Sequence, residues 1–321
     1  MNNNKWYDCF LEALYEKYPQ KPQLTEALMD LLSIEREAVY RRLRNDVIFP
    51  ANEIIKIASS WNISIDEILG VHSPQTQLFK LKLLQYTNPS IQEMDSIQEI
   101  LNFLDTFREA PNAEFMEVSN TLPRSLMIGF QHLARYILFK WKYQYDNEET
   151  VLPYSQVLYL EKVRQMGLAF HKKIQMMPKV NYIWDYGIFE RLVNDIKYFS
   201  SIYLITEDEK QLIKNDILAL LDYMSDASSK NCFPETGNTV NLYISQIGIN
   251  TNYNYFYSDT IKLCCIRAFV KYEICSTNED MVTNFHKWMS LKKRSSVNIS
   301  GVDERSRIAF FMKQRELVET L

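Results

Sequence analysis

Only 7 of the 321 residues are glycine. Glycine supplies the left-handed backbone turns on which tight hairpins and phosphate-cradling loops depend. So low a count works against glycine-turn-rich β architectures and nucleotide-binding loops, and it favours a mainly α protein. Hydrophobic residues at 46% and aromatics at 13% supply packed cores over most of the length. A chain this long divides into two or three domains.

The formal net charge is −4, so contact with nucleic acid has to come from a local basic patch rather than from the whole molecule. The first residues, MNNNKWYDCF, lack the apolar core of a signal peptide, and no apolar run approaches the ~20 residues that span a bilayer. The five cysteines, Cys9, Cys232, Cys264, Cys265 and Cys275, form no CxxC pair and are odd in number. They read as reduced thiols of a cytoplasmic protein that does not enter a membrane.

Residues 1–72 read as a set of short helices. An apolar stripe runs through Trp6, Phe10, Leu11, Leu14 and Tyr15, then Pro19 and Pro22 break the chain. LTEALMDLLS puts Leu24, Leu28, Leu31 and Leu32 on one helical side. EREAVYRRLR (35–44) follows, then Pro50, ANEIIKIASSWN and SIDEILG. In the last segment Ser64 and Glu67 have the spacing of a capping box, and Gly70 supplies a stop. VHSPQTQ (71–77) reads as a linker.

Residues 78–234 read as helical throughout. Predicted helices start at Ser90, whose spacing from Glu93 is again a capping box, and at Pro123, running to about Tyr145. Others cover 154–175, 186–201 and 206–225, the last opened by Thr206 and an acidic first turn containing Glu207 and Asp208. Met176, Met177, Trp184 and Tyr186 are expected in the core. From 235 to 321 the pattern changes to a small α+β unit. TVNLYISQIGI alternates, with Val240, Leu242 and Ile244 on one face and Asn241, Tyr243 and Ser245 on the other. KLCCIRAFVKYEIC puts Cys264, Ile266, Ala268, Val270, Tyr272 and Ile274 on one side; if this is a strand, one of Cys264 and Cys265 faces the core and the other faces outward. Two further helices, through Phe285 and Trp288 and through Ile308 and Phe311, close the chain.

The segment FPANEIIKIASSWNISIDEILG, preceded by two short helices and a turn, resembles the Cro/repressor (XRE-type) helix-turn-helix family. The matching residues are Asn45, Pro50, Ile54, Ile57, Ala58, Trp61, Asn62, Ile63, Ser64, Asp66, Glu67, Ile68, Leu69 and Gly70. The resemblance covers about residues 7–70 and implies a five-helix DNA-binding domain. Ser33 stands where the family usually has the turn glycine, and Met29 where it usually has a small alanine.

EREAVYRRLR fits the recognition helix that such a domain requires. Ile34, Ala38, Val39 and Leu43 form an apolar side for docking on the partner helix. Arg36, Glu37, Tyr40, Arg41, Arg44 and the following Asn45 then face outward as candidate DNA-binding residues. A bidentate arginine–guanine pair carries about 1–3 kcal/mol of base discrimination, and a glutamate accepts from a cytosine amine. Tyr40 suits a phosphate or a thymine methyl. Eight basic residues against eleven acidic ones in residues 1–72 leave that segment at −3. An acidic domain binds DNA weakly by itself, which favours a homodimer reading two half-sites of double-stranded DNA.

Other signals are weaker. Tyr253, Tyr255 and Tyr257 share a strand face, read first as an aromatic ladder and second as a ligand-facing wall. Lys292, Lys293 and Arg294 beside a serine-rich loop are a candidate anion site, with a solvated helix end as the plainer reading. The four histidines share no ligand spacing, so no metal or cofactor is expected. GxSxG, phosphate-loop and HExxH motifs are absent, and no enzyme activity is expected. The sequence thus predicts a transcriptional regulator with a helical dimerisation or relay region and a tail that senses a small molecule or protein effector, a division of labour drawn by analogy with multi-domain regulators. The rival is an adaptor that has retired its helix-turn-helix to protein contacts. A third reading is a small-molecule sensor whose helix-turn-helix touches another protein.

Overall fold

The computed structural model describes residues 5–61, 63–65, 68, 80–82, 86, 88–145, 151–269 and 272–321. The chain forms two compact units, Met1–Leu78 and Phe79–Leu321. The VHSPQTQ linker, Gly70 and the Glu67 half of the Ser64–Glu67 pair lie outside the described residues. Among the described residues, no helix is long and apolar enough to cross a membrane.

In the first unit, α1 (Lys5–Lys17), α2 (Lys21–Leu32), α3 (Arg36–Leu43) and α4 (Ala51–Trp61) enclose one small core. Pro22 sits in the first turn of α2, where its missing N–H costs nothing. Tyr7, Phe10 and Leu14 of α1 meet Leu24 and Leu28 of α2, Val39 and Leu43 of α3, and Phe49 and Ile57. The buried Tyr7 hydroxyl donates to Arg42 O at 3.1 Å and accepts from Phe49 N at 3.2 Å, so α1 holds the loop that leaves α3. Of the predicted fifth helix, Ile68 N donates to Ser64 O at 3.3 Å.

The second unit is α+β. Its strands are β1 (Lys80–Lys82), β2 (Glu114–Ser119), β3 (Lys179–Asp185), β4 (Thr239–Ser245), β5 (Tyr253–Tyr257), β6 (Lys262–Ala268), β7 (Tyr272–Ser276) and β8 (Val297–Asn298). Among the described residues they form one eight-stranded sheet in the order β1-β7-β6-β5-β2-β3-β4-β8. β2, β3 and β4 run parallel, and every other pairing is antiparallel. The helices are α5 (Ile91–Glu109), α6 (Arg124–Met127), α7 (Gln131–Tyr145), α8 (Glu161–Gln175), α9 (Ile188–Ser201), α10 (Glu207–Lys230), α11 (Glu279–Arg294) and α12 (Glu304–Glu319). Phe115, Val180, Tyr182, Trp184, Val240 and Leu242 face the larger core, to which α5, α7, α9, α10 and α12 contribute. Met116, Val118, Ile183 and Tyr255 face the opposite way, against Val282, Phe285 and Met289 of α11. Capping boxes open α5 at Ser90–Glu93 and α10 at Thr206–Glu209.

The expectation of an all-helical region 78–234 beside a separate α+β tail does not hold. β2 and β3 lie inside that region and occupy the centre of the sheet, with β5 and β4 from the tail paired on either side. Both strands are buried on both faces, so FMEVS and VNYIW show no period-two alternation to read.

Several helix boundaries shift for local reasons. The helix expected from Pro123 to Tyr145 is broken. Gly129 packs so closely on His171 that a Cβ there would lie 2.7 Å from the ring, and the Asp216 carboxylate caps α7 by accepting from His132 N and Leu133 N. The helix expected over 154–175 starts only at Glu161, because Arg135 takes the carbonyls of Ser155 and Val157. Met177 and Trp184 are buried, whereas Met176 and Tyr186 are exposed. KLCCIRAFVKYEIC is a hairpin, turned at Phe269 with φ 48°; Val270 lies outside the described residues.

That hairpin register also corrects the reading of the cysteines. Cys265 and Cys275 stand opposite each other on β6 and β7 and are joined by a disulfide, leaving Cys9, Cys232 and Cys264 free. Cys264 and Cys265 are both buried, because the sheet is covered on both faces. The ten-residue spacing carries no pairing signal until the turn is known.

Beside the disulfide lies a buried polar row on the face toward the larger core. Glu117 is opposite Asn254 on β5, and Arg267 is opposite Glu273 on β7. Arg124 binds Glu273 Oε1 at 2.7 Å, and Asn254 Nδ2 donates to the same oxygen at 3.1 Å. The Arg267 guanidinium stays 3.9 Å from Glu117, so Glu117 Oε1 and Arg267 Nε are buried without hydrogen-bond partners among the described residues. Burial raises the Glu117 carboxyl to about 7, against the attraction of Arg267.

Two outcomes follow. Alkylation of the denatured, unreduced chain labels Cys9, Cys232 and Cys264 and no others, and prior reduction exposes all five cysteines to mass-spectrometric count. Opening this short loop lowers stability by about 2–3 kcal/mol. Glu117 is protonated more readily in the folded than in the unfolded chain, so its contribution is full below about 4.5 and is lost as pH rises to about 7. Urea unfolding across that window shows a decline of at most about 3 kcal/mol from this group, and Glu117→Gln flattens it.

Candidate nucleic-acid interface

The α2–α3 connection is set by one residue. Ser33 adopts φ 56° and ψ 45°, the left-handed conformation, and its N–H closes α2 by donating to Met29 O at 2.8 Å. A non-glycine residue there costs about 1–2 kcal/mol, which the flanking packing has to offset. Glu35 then starts α3 from an extended backbone, without a side-chain cap. At the other end, Asn45 is again left-handed at φ 64°, a conformation asparagine tolerates better than most residues.

α3 buries Val39 and Leu43, and Ile34 packs partly against the same core. Arg36, Glu37, Arg41, Arg44 and Asn45 are exposed, and Tyr40 is half-buried with Lys21 Nζ 5.7 Å above its ring. The fourth arginine has a different role. Arg42 makes a bidentate pair with Glu53 of α4, Nε to Oε2 at 2.8 Å and Nη2 to Oε1 at 2.9 Å, and it also donates to Ala38 O. Both side chains are about 15% exposed, so this pair fastens α3 to α4 and presents no free guanidinium.

The exposed arginines carry acidic companions. Arg44 lies 3.3 Å from Glu37 and 3.1 Å from Asp46, and Arg36 lies 3.9 Å from Glu26. Such solvent-exposed pairs are weak and exchangeable for a phosphate or a base. Arg41 makes no ion pair among the described residues. The face therefore offers one unengaged guanidinium, two loosely engaged ones, and Asn45, whose amide lies 3.5 Å from Asp8.

Of the six candidate residues of the second unit, Tyr253 and Lys292 line a common hollow, and Tyr255, Tyr257, Lys293 and Arg294 do not line it. Tyr253, Tyr255 and Tyr257 do share a face, but α11 covers it. Tyr255 and Tyr257 stack on His286 at 5.4 and 5.6 Å, while Tyr253 meets Trp288 at 4.6 Å. Lys292, Lys293 and Arg294 separate. Lys293 points into the sheet, donating to Asn181 Oδ1 at 3.0 Å and lying 4.0 Å from Glu114, and burial lowers its pKa. Arg294 is exposed, and Lys292 lines the hollow. A single anion cannot engage all three. Successive helical residues diverge by about 100° each, which the run KKR conceals.

Among the described residues, Cys265, Glu273 and Cys275 bring donor atoms within 4.8 Å of one another, close enough to suggest a metal site. The two sulfurs are bonded to each other and Glu273 already binds Arg124, so this donor set is engaged within the protein. The chain matches no protein-family model, and comparison with curated proteins and with solved structures returns no match.

The division of the four arginines is directly measurable. Arg42→Ala leaves Glu53 half-buried and unpaired, at a cost of about 2 kcal/mol, which speeds amide exchange of Val39–Leu43 about thirtyfold in the full-length protein. Arg41→Ala leaves exchange there unchanged.

Proposed function

We propose that the first unit is an XRE-like helix-turn-helix and that the chain is a sequence-specific regulator of transcription, reading double-stranded DNA with the outer face of α3. The observation that carries this reading is the partition of α3. Val39, Leu43 and Arg42 are consumed in fixing the helix, while Arg36, Glu37, Arg41, Arg44 and Asn45 are left at the surface. That is what a recognition helix requires: a rigid mount and a polar, solvent-facing side. The left-handed Ser33 at the position of the family's turn glycine supports the same assignment.

Affinity in this reading comes from two copies on adjacent half-sites, because the acidic residues of the unit oppose the phosphates. Glu37 and Asp46 act as selectivity elements. They hold Arg44 in place and penalise sequences that present no acceptor to release it.

Selection from a random duplex library by the full-length protein tests the proposal. Enrichment of a paired motif, weakening steeply with salt and abolished by Arg41→Ala plus Arg44→Ala with the fold intact, is the expected result. No salt-dependent enrichment with wild-type protein overturns it and favours the adaptor reading, in which the same face meets another protein.

A further inference from the structure

The hollow that Lys292 lines combines aromatic rings, aliphatic side chains and polar groups. It lies between α11, the loop before β5 and the face of β5 and β6 that α11 covers, and it is an open hollow of about 490 Å³, within the range of small-molecule sites. Its walls are three aromatic rings. Tyr253 and Trp288 are 4.6 Å apart, and each is 6.0 Å from Phe285; all three pairs are tilted by 56–59°. Tilted rings present both faces and edges toward the hollow, the surfaces on which a further flat ring packs edge-to-face. Ile249, Ile266 and Met281 complete the apolar lining.

Three polar side chains lie around this lining: Asn250, Asn284 and Lys292. None of them makes a side-chain hydrogen bond or ion pair among the described residues; Asn250 and Asn284 are exposed and Lys292 is half-buried. Among the described residues, Lys292 is the one charged group lining the hollow, and no acidic residue lines it. The α11 residues involved, Met281, Asn284, Phe285, Trp288 and Lys292, follow the helical repeat, so one rigid helix places ring and charge together.

We propose that this hollow binds a small aromatic monocarboxylate, its ring among Tyr253, Phe285 and Trp288 and its carboxylate at Lys292, with Asn250 and Asn284 completing the hydrogen bonds. A neutral ring leaves Lys292 without a counter-charge, and a cation meets repulsion with nothing to offset it. The site stands apart from the DNA reading, and its test does not involve DNA.

Ligand-observed NMR on the full-length protein uses benzoate, 2-naphthoate and indole-3-acetate as probes, with indole-3-acetamide and tryptamine as neutral and cationic counterparts of the last. At least one carboxylate is expected to bind, with the amide about tenfold weaker and the amine undetected. Lys292→Glu is expected to reverse the order, favouring tryptamine over indole-3-acetate. Misfolding cannot produce such a reversal, and residue 292 lies near the surface. Trp288→Ala abolishes binding of all probes. Failure of all three carboxylates to bind at millimolar concentration overturns the proposal. So does carboxylate binding that survives Lys292→Glu unchanged.

Discussion

A strand buried on both faces has no water to satisfy its backbone, so both of its edges must be paired. β2 and β3 impose this requirement on the second unit. Their apolar residues enter the cores on either side of the sheet, and their backbone groups recruit β5 and β4 from more than fifty residues further along the chain. The hairpins of the last third therefore complete a sheet whose centre was laid down earlier. That is why 79–321 is one unit rather than a helical region with an appendage. The same sheet places Tyr253 under α11 and brings Cys265 opposite Cys275.

The first unit works on a different economy, with a core of about ten buried apolar side chains and two polar devices. Tyr7 ties α1 to the loop after α3, and the Arg42–Glu53 pair ties α3 to α4. Each replaces hydrophobic area that a unit this small lacks, and each leaves the opposite side of α3 facing solvent.

Much of the first unit was legible because its helices are amphipathic and bounded by prolines. The buried set Leu24, Leu28, Val39, Leu43 and Ile57 follows from spacing alone. What spacing cannot show is the bidentate role of Arg42, which depends on Glu53 eleven residues away. In the second unit β4 and β5 were legible through alternation, whereas β2 and β3 were not, since burial on both faces erases the period. Lys292 and Lys293 show the limit most sharply. Adjacent in sequence and alike in chemistry, one points into the sheet and the other lines a cleft. The cleft itself has no sequence motif, because its lining comes from a loop, two strands and a helix.

The left-handed residues Ser33 and Asn45 have a consequence for how the α3 surface can change over time. They bracket the helix between two fixed reversals of the chain, twelve positions apart. A residue inserted between them turns every later side chain by about 100°, carrying Leu43 out of the core and Arg42 away from Glu53. Length is therefore frozen in this segment while identity at 36, 37, 41 and 44 is free. Diversification of this surface can proceed only by exchanging side chains on a helix of constant length.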